Sequence, residues 1–382
     1  MLDPLPPPPP WLRGLVTPWA VYFNLHSLPN HIHEILFAFA FYQFVHSYLS
    51  PRLSAALFPQ FYPRFPRRTQ LNWDVHVVSF LQSTLINLVA LWVMFADRER
   101  KDMTAEERVY GYTGACGLVQ ALATGYFLYD LIVSTVYVKM FGVGMLFHAI
   151  SALWVFAQGF RPFVNFYAPT FILYELSSPF LNIHWFLDKV NMTGSKAQWY
   201  NGITLLVVFF FCRLVWGTWQ SALVYMDMWR AVKQTWSAPP SSVLDPVNTS
   251  ATIFQERNGT LCVDEACARA NAEISLFAHQ TAAGVPIWLV LTYVASNLIL
   301  NGLNYYWFSK MIEAVMKRFR EPAIPAKKVK EPGKEVQPDV VLDAAGKLRE
   351  EEGYFETGDG AEQTKTSVVD TLGTDMLRKR KS

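Results

Sequence analysis

The chain has 382 residues, of which 52% are hydrophobic and 17% are charged, with 33 Lys and Arg against 31 Asp and Glu. This composition excludes a disordered protein, which would be less apolar and more charged, and the net charge of +2 argues against a nucleic-acid partner. Four cysteines exclude a disulfide scaffold. Because residues 309–382 hold 15 Lys and Arg and 14 Asp and Glu, we interpret the chain as an apolar body with a charged tail.

Residues 1–31 contain the proline run Pro6–Pro10 and predict a short Pro-rich lead-in. The body, residues 32–308, divides into apolar runs of about the 20 residues that a helix needs to cross a bilayer. We predict seven spans, with six as the alternative because the first run is the shortest. In chain order they are residues 32–49, 75–96, 109–138, 141–160, 162–187, 202–226 and 284–308. The runs are continuously apolar and do not alternate as barrel strands do, so the predicted fold is an all-α polytopic membrane bundle.

Charge and sequons predict the orientation of the bundle. The loop after the first span is basic, with Arg52, Arg64, Arg67 and Arg68, and residues 309–382 open with further Lys and Arg, so both are expected in the cytosol. Residues 229–283 then form a lumenal insertion. It carries glycosylation sequons at Asn248 and Asn258, and the pair Cys262 and Cys267, which is expected as a local disulfide or as free thiols. The tail, residues 309–382, has a composition typical of disorder.

Four ionisable residues lie deep inside the predicted spans, where such groups are costly and point to function by default. From a rise of about 1.5 Å per residue, Asp130 and His148 fall at the same level of a helix hairpin, roughly 10–12 Å from its cytosolic end. Glu175 and Arg213 both fall roughly 16–18 Å deep. His76 and His184 are placed near the cytosolic rim. We therefore expect two polar pairs within the bundle.

Two interpretations are open for the first pair, and one is favoured for the second. Asp130 can orient His148 for acid–base or nucleophilic chemistry, or the two side chains can simply fix helix packing. Glu175 and Arg213 are expected mainly as an ion pair that sets helix register. No metal site is predicted. His31 and His33 are too close in sequence to lie on one helical face, and Cys262 and Cys267 lack further ligands.

Three segments carry a resemblance to a known family. They are Asn72-Trp-Asp-Val-His-Val-Val-Ser79, then Gly125-Tyr-Phe-Leu-Tyr-Asp-Leu131 with Phe147-His148, and Tyr174-Glu-Leu-Ser-Ser-Pro-Phe-Leu-Asn-Ile183. Over about residues 70–310 the chain resembles the TLC-domain family, which includes ceramide synthases and translocation-associated membrane proteins. The resemblance implies a helical bundle with several spans in the endoplasmic reticulum and a link to lipid metabolism.

The resemblance also covers two branches of the family, which differ in the activity that they imply. Ceramide synthases use a His-His pair and nearby acidic residues to transfer an acyl group from acyl-CoA to a sphingoid base, giving ceramide and hence sphingolipid. Here the pair reads His148-Ala149, and Trp154–Arg161 holds no acid. The Glu-x-Ser-Ser-Pro-Phe pattern is closer to the non-synthase branch, which is associated with lipid homeostasis.

The first hypothesis is therefore a lipid-homeostasis protein that binds, senses or moves a membrane lipid within the bundle and uses no cofactor. The expected lipid-binding residues are Tyr126, Tyr129, Asp130, Phe147, His148, Glu175 and Arg213. The alternative is an N-acyltransferase that uses acyl-CoA, with His148 as base or acyl acceptor and Asp130 as its orienting group. A third hypothesis is a translocon or chaperone-like helper that docks through its tail.

Overall fold

We analysed a computed structural model, which describes residues 1–237, 255–257, 260–262, 265–281 and 284–320. Helices dominate it, which confirms the predicted all-α membrane bundle. The first half contains α1 (Pro10–Tyr22), α2 (Leu28–Phe44), α3 (Ser50–Leu57), α4 (Arg67–Ala96), α5 (Arg98–Lys101), α6 (Ala105–Tyr110) and α7 (Gly114–Val136). The second half contains α8 (Val138–Gln158), α9 (Ala168–Ile172), α10 (Ser178–Lys189), α11 (Lys196–Phe209), α12 (Gly217–Ser237), α13 (Glu265–Ile274), α14 (Ala278–Thr281) and α15 (Ile287–Arg320).

Two short strands, β1 (Gln255–Arg257) and β2 (Thr260–Cys262), pair antiparallel within the predicted insertion. The sequons at Asn248 and Asn258 lie outside the described residues, as do the side chains of Cys262 and Cys267. Of the predicted tail, α15 includes residues 309–320, and residues 321–382 lie outside the description.

Five helical segments among the described residues are long and apolar enough to cross a membrane. They are Arg67–Ala96, Ala105–Val136, Val138–Gln158, Lys196–Ser237 and Ile287–Glu313. The first predicted span, residues 32–49, lies in a continuous helical stretch formed by α2, a π-helical turn (Val45–Leu49) and α3. The count of seven spans stays a prediction.

The predicted span 162–187 differs most from a straight helix. It consists of α9, a 3₁₀ segment (Leu173–Ser177) and α10, preceded by a further 3₁₀ turn at Asn165–Tyr167. Pro169 and Pro179 occupy first-turn positions of α9 and α10. Proline has no N–H to continue a preceding helix, so each proline favours the start of a new one. A further irregular segment, the π-helical turn Phe210–Trp216, joins α11 to α12.

The N-terminal residues contact the body of the bundle directly. The Met1 ammonium lies 2.7 Å from Asp97 Oδ1, 2.9 Å from Glu99 Oε2 and 3.4 Å from Glu273 Oε2. Burial alone would raise the pKa of the Glu99 carboxyl, but its hydrogen bond with the Met1 ammonium helps to lower that pKa to about 2. Residues 1–31, which were expected as a Pro-rich lead-in, thus include α1. The first residue of this segment contacts carboxylates of the bundle.

Helices α2 and α7 pack closely because Gly125 has no side chain. A Cβ atom at Gly125 would lie 2.6 Å from the Ile35 carbonyl oxygen and 2.7 Å from the Ala38 Cβ. We expect Gly125→Ala to lower the free energy of unfolding by about 1–3 kcal/mol, because the two helices must separate. Gly302→Ala is the matched control, since nothing lies within 4 Å of its Cβ. Thermal unfolding in detergent should show a loss for the first variant and an unchanged or higher midpoint for the second.

Candidate functional site

A partly open cavity lies between the helices of the bundle, with about 480 Å³ of space that protein atoms do not fill. It is lined by His76, Ser79, Tyr126, Asp130, Met145, His148, Glu175, Ser178, Leu181, Asn182, Arg213 and Trp307. Five of the predicted site residues are in this set: Tyr126, Asp130, His148, Glu175 and Arg213. The structure therefore brings the hairpin of α7 and α8 together with the 3₁₀ segment and the π-helical turn, which lie further along the chain.

A second partly open cavity, with about 500 Å³ of space that protein atoms do not fill, shares His148, Glu175 and Arg213 with the first. Most of its other lining residues are apolar. The full set of these other lining residues is Phe127, Ala152, Val155, Phe156, Phe171, Ile172, Tyr174, Asn297, Leu300 and Asn304. The three shared residues thus lie where a polar space meets a mainly apolar one.

The Arg213 guanidinium is bound on several sides by protein oxygens. Its Nε donates to the Tyr174 carbonyl at 2.9 Å and to Ser177 Oγ at 3.0 Å. Nη1 donates to Asn304 Oδ1 at 3.1 Å, and Nη2 donates to Ser178 Oγ at 3.1 Å. This side chain belongs to the π-helical turn, and π-helical turns occur frequently at functional sites.

Glu175 faces the same guanidinium, with Oε1 lying 3.9 Å from Arg213 Nη2. Ser178 links the pair more closely, because its Oγ also donates to Glu175 Oε2 at 2.8 Å. The 3₁₀ segment produces this arrangement, since residues three apart lie in line along such a helix. Tyr174 is thereby aligned with Ser177, and Glu175 with Ser178. This geometry accounts for the Glu-x-Ser-Ser-Pro pattern.

Asp130 and His148 lie on α7 and α8, which form a hairpin. Both line the first cavity, but no hydrogen bond joins them among the contacts of the described residues. His148 Nδ1 is buried and has no hydrogen-bond partner in the described part of the chain. The His148 ring lies 5.8 Å from the Trp307 ring, centroid to centroid. His148 thus lines the cavity and carries a buried ring nitrogen whose hydrogen-bonding capacity the described residues leave unused.

His76, which was expected near the cytosolic rim, lines the first cavity. Its Nδ1 donates to Asn182 Oδ1 at 2.6 Å, and its ring stacks on Trp185 with centroids 4.2 Å apart. Helix α4 starts at Arg67, ahead of residue 75, where the predicted span begins. Nine residues of helix place His76 about 14 Å from that start. His184 is buried too, without lining either cavity.

Tyr129 and Phe147, which were expected beside the polar groups, lie elsewhere. The Tyr129 hydroxyl is hydrogen-bonded to His46 Nδ1 at 2.6 Å, between α7 and the π-helical turn that follows α2. Phe147 is 55% exposed on the outer surface. Neighbouring residues of an α-helix point about 100° apart, so a residue next to His148 does not share its face. Neither aromatic residue lines either cavity.

Sequence reasoning missed the contribution of α15. Asn297 and Asn304 line the second cavity, and Asn301 accepts a hydrogen bond from the Tyr174 hydroxyl at 3.0 Å. The Tyr225 hydroxyl also donates to Asn297 Oδ1, at 2.6 Å. The available signal was the spacing of the asparagines, four and three residues apart along an apolar helix, which places their side chains on one face.

Comparison with known proteins places this arrangement in a family. The model of the TLC domain matches residues 72–313. An uncharacterised TLC domain-containing protein of Schizosaccharomyces pombe is 35% identical over 315 residues, which cover 82% of this chain and 89% of that protein.

Two further proteins are similar to this chain. Topoisomerase I damage affected protein 4 of Saccharomyces cerevisiae is 28% identical, covering 82% of this chain and 96% of that protein. TLC domain-containing protein 4 of Homo sapiens is 28% identical, covering 47% of this chain and 65% of that protein. These relatives are consistent with a branch other than the ceramide synthases. The resemblance noted in the sequence is confirmed, and the chain belongs to the TLC-domain family of membrane proteins.

Proposed function

We propose that this protein binds a membrane lipid inside its helical bundle and acts in lipid homeostasis, as a binding, sensing or trafficking protein. The observation that carries the proposal is His148, which lines a cavity between the helices and whose buried Nδ1 has no hydrogen-bond partner among the described residues. A buried polar group without a partner costs about 1–3 kcal/mol. A ligand that supplies the missing hydrogen bond removes that cost.

The charges of the cavity favour a particular kind of head group. The Arg213 donors bind protein oxygens, so the guanidinium is largely satisfied within the protein. Asp130 and Glu175 remain as acceptors in the same wall. Carboxylates accept hydrogen bonds when ionised. The cavity therefore suits a lipid whose head group carries hydroxyl or amine donors, a class that includes sphingoid bases and ceramides.

The second cavity suits the apolar part of the same ligand. Its wall of Phe127, Val155, Phe156 and Phe171 adjoins the three residues shared with the polar cavity. Ligand sites between helices commonly combine an apolar wall with a few polar groups. One lipid molecule could thus place its head group in the first cavity and part of a chain in the second.

A pair of phenylalanine substitutions on α8 tests this proposal. Ala152 lines the second cavity, whereas Ile150 is 46% exposed on the outer surface of the same helix. The full-length protein is purified in detergent, and co-purifying lipids are quantified by mass spectrometry. We expect Ala152→Phe to lower the retained lipid by about tenfold, equivalent to 1.4 kcal/mol of binding free energy, and Ile150→Phe to retain it. Equal lipid retention in both folded variants would contradict binding at this cavity.

The second candidate function is acyl transfer, and the free His148 Nδ1 beside Asp130 favours it. His148 would act as base or acyl acceptor toward acyl-CoA, with a lipid amine as the acceptor substrate. An amide bond would form to the amine as the thioester C–S bond breaks, and CoA would leave as the thiol with the proton that the amine loses. Ala149 occupies the position expected for the second histidine. Purified protein is incubated with labelled acyl-CoA and long-chain amines. Turnover that is lost in His148→Ala and kept in His46→Ala would identify an enzyme.

We place the protein in the endoplasmic reticulum with its C-terminal tail in the cytosol. The basic loop after the first predicted span and the sequons at Asn248 and Asn258 support this orientation. A glycosidase-sensitive mass shift should disappear when both asparagines become glutamine. A shift that persists in the double variant would contradict a lumenal position for residues 229–283.

A further inference from the structure

A second polar cluster lies apart from the cavities, where the start of α2 meets the N-terminal residues. His31 Nδ1 lies 2.8 Å from Glu34 Oε2 and 3.3 Å from Asp3 Oδ2. One ligand atom from each of these three residues lies within 4.8 Å of the others. His31 and Glu34 have fully buried side chains, and that of Asp3 is 23% exposed. Histidine and two carboxylates thus converge on one point.

The cluster contains an unsatisfied acceptor. Glu34 Oε1 is buried and has no hydrogen-bond partner in the described residues. His33 Nε2 lies 3.8 Å from this oxygen, which is beyond hydrogen-bonding distance. A buried carboxylate oxygen without a donor is costly. Glu34 Oε2 lies 2.8 Å from His31 Nδ1, so a cation that both Glu34 oxygens reach would also supply the partner that Oε1 lacks.

The opposite edge of the His31 ring is held as in known metal sites. His31 Nε2 lies 2.6 Å from the Tyr112 hydroxyl, which fixes the orientation of the ring. Histidine ligands of metals usually make such an outer hydrogen bond through the second ring nitrogen. Gly117 leaves space for the ring, because a Cβ there would overlap it.

We infer that Asp3, His31 and Glu34 form a binding site for a divalent transition-metal ion of the zinc class. One imidazole and two carboxylates are a donor set that zinc accepts, at about 2.0–2.2 Å from each ligand atom. Ligand atoms around a tetrahedral ion at that distance lie roughly 3.3 Å apart. His31 Nδ1 lies 3.3 Å from Asp3 Oδ2 and 2.8 Å from Glu34 Oε2, so the contact with Glu34 would lengthen when the ion binds.

Metal analysis of the full-length protein tests the inference. The protein is stripped with a chelator, incubated with zinc chloride, freed of excess metal and measured by mass spectrometry. We expect about one zinc ion per chain in the wild type. Glu34→Gln and His31→Ala should each lower the occupancy at least tenfold, and His26→Ala should keep it. Equal zinc content in wild type and the Glu34→Gln variant, or none in the wild type, would overturn the site.

Cobalt substitution provides a second, spectroscopic readout of the same site. Loading the stripped wild type with cobalt chloride should give visible absorption bands of a low-symmetry site, and zinc should displace them. If His31→Ala fails to fold, these bands in the wild type and their loss in Glu34→Gln decide the question. A colourless cobalt-treated protein would contradict a site with a histidine ligand.

Discussion

Replacing Arg213 with methionine is expected to lower the free energy of unfolding by about 3–5 kcal/mol. The change leaves the buried Glu175 carboxylate without its nearby cation and removes four hydrogen bonds from the centre of the bundle. Unfolding of the purified protein in mixed micelles measures the loss. Lys139→Met is the matched control, because Lys139 is exposed and the described salt bridges do not include it.

A double substitution separates the unpaired charge from the lost hydrogen bonds. Arg213→Met combined with Glu175→Met should recover part of the stability, since replacing a whole buried pair costs less than removing one partner. If the Arg213→Met protein unfolds at the same denaturant concentration as the wild type, the pair does not stabilise the bundle. If the double variant is less stable than Arg213→Met, the unpaired carboxylate is not the main cost.

Replacing Asp227 with alanine is expected to cost about 2–3 kcal/mol, the range for hydrogen bonds to charged groups. Arg108 donates to both oxygens of this carboxylate, at 2.6 and 2.9 Å, and so joins α6 to α12. The Tyr167 hydroxyl donates to Asp227 Oδ2 at 2.7 Å. The Asp227 side chain is 3% exposed, so water does not replace these contacts.

Arg230 offers the control for Asp227. It lies 3.9 Å from the same carboxylate, but its side chain is 62% exposed. Exposed ion pairs contribute about 0–1 kcal/mol, so Arg230→Ala should leave the unfolding midpoint nearly unchanged. Similar losses of stability in the Arg230 and Asp227 variants would show that the bidentate contact with Arg108 stabilises the protein no more than the exposed contact with Arg230 does.

Helical depth explains how the sequence could predict much of the site. Glu175 and Arg213 were placed at one level by counting residues from the ends of neighbouring spans, and the structure brings them to 3.9 Å. The same count placed Asp130 beside His148, and both line one cavity. A regular rise per residue makes such estimates possible wherever the end of a helix is evident in the sequence.

The same reasoning failed where helices were irregular or their ends were hidden. Helix α4 starts before the predicted span, because the polar residues of its first turns do not form part of an apolar run. The 3₁₀ segment at Glu175 and the π-helical turn at Arg213 depend on tertiary contacts that a sequence pattern does not encode. The grouping of Asp3 with His31 was also hidden, because it joins two segments across an intervening helix.

The most direct test of lipid binding is an electron cryomicroscopy structure of the full-length protein in a lipid nanodisc, with a bound antibody fragment as a size marker. The proposal predicts lipid density in the first cavity, with a head-group atom within hydrogen-bonding distance of His148 Nδ1 and a chain that extends along Phe127 and Phe156 in the second cavity. Density for water alone in both cavities, with lipid confined to the outer surface of the bundle, would contradict it.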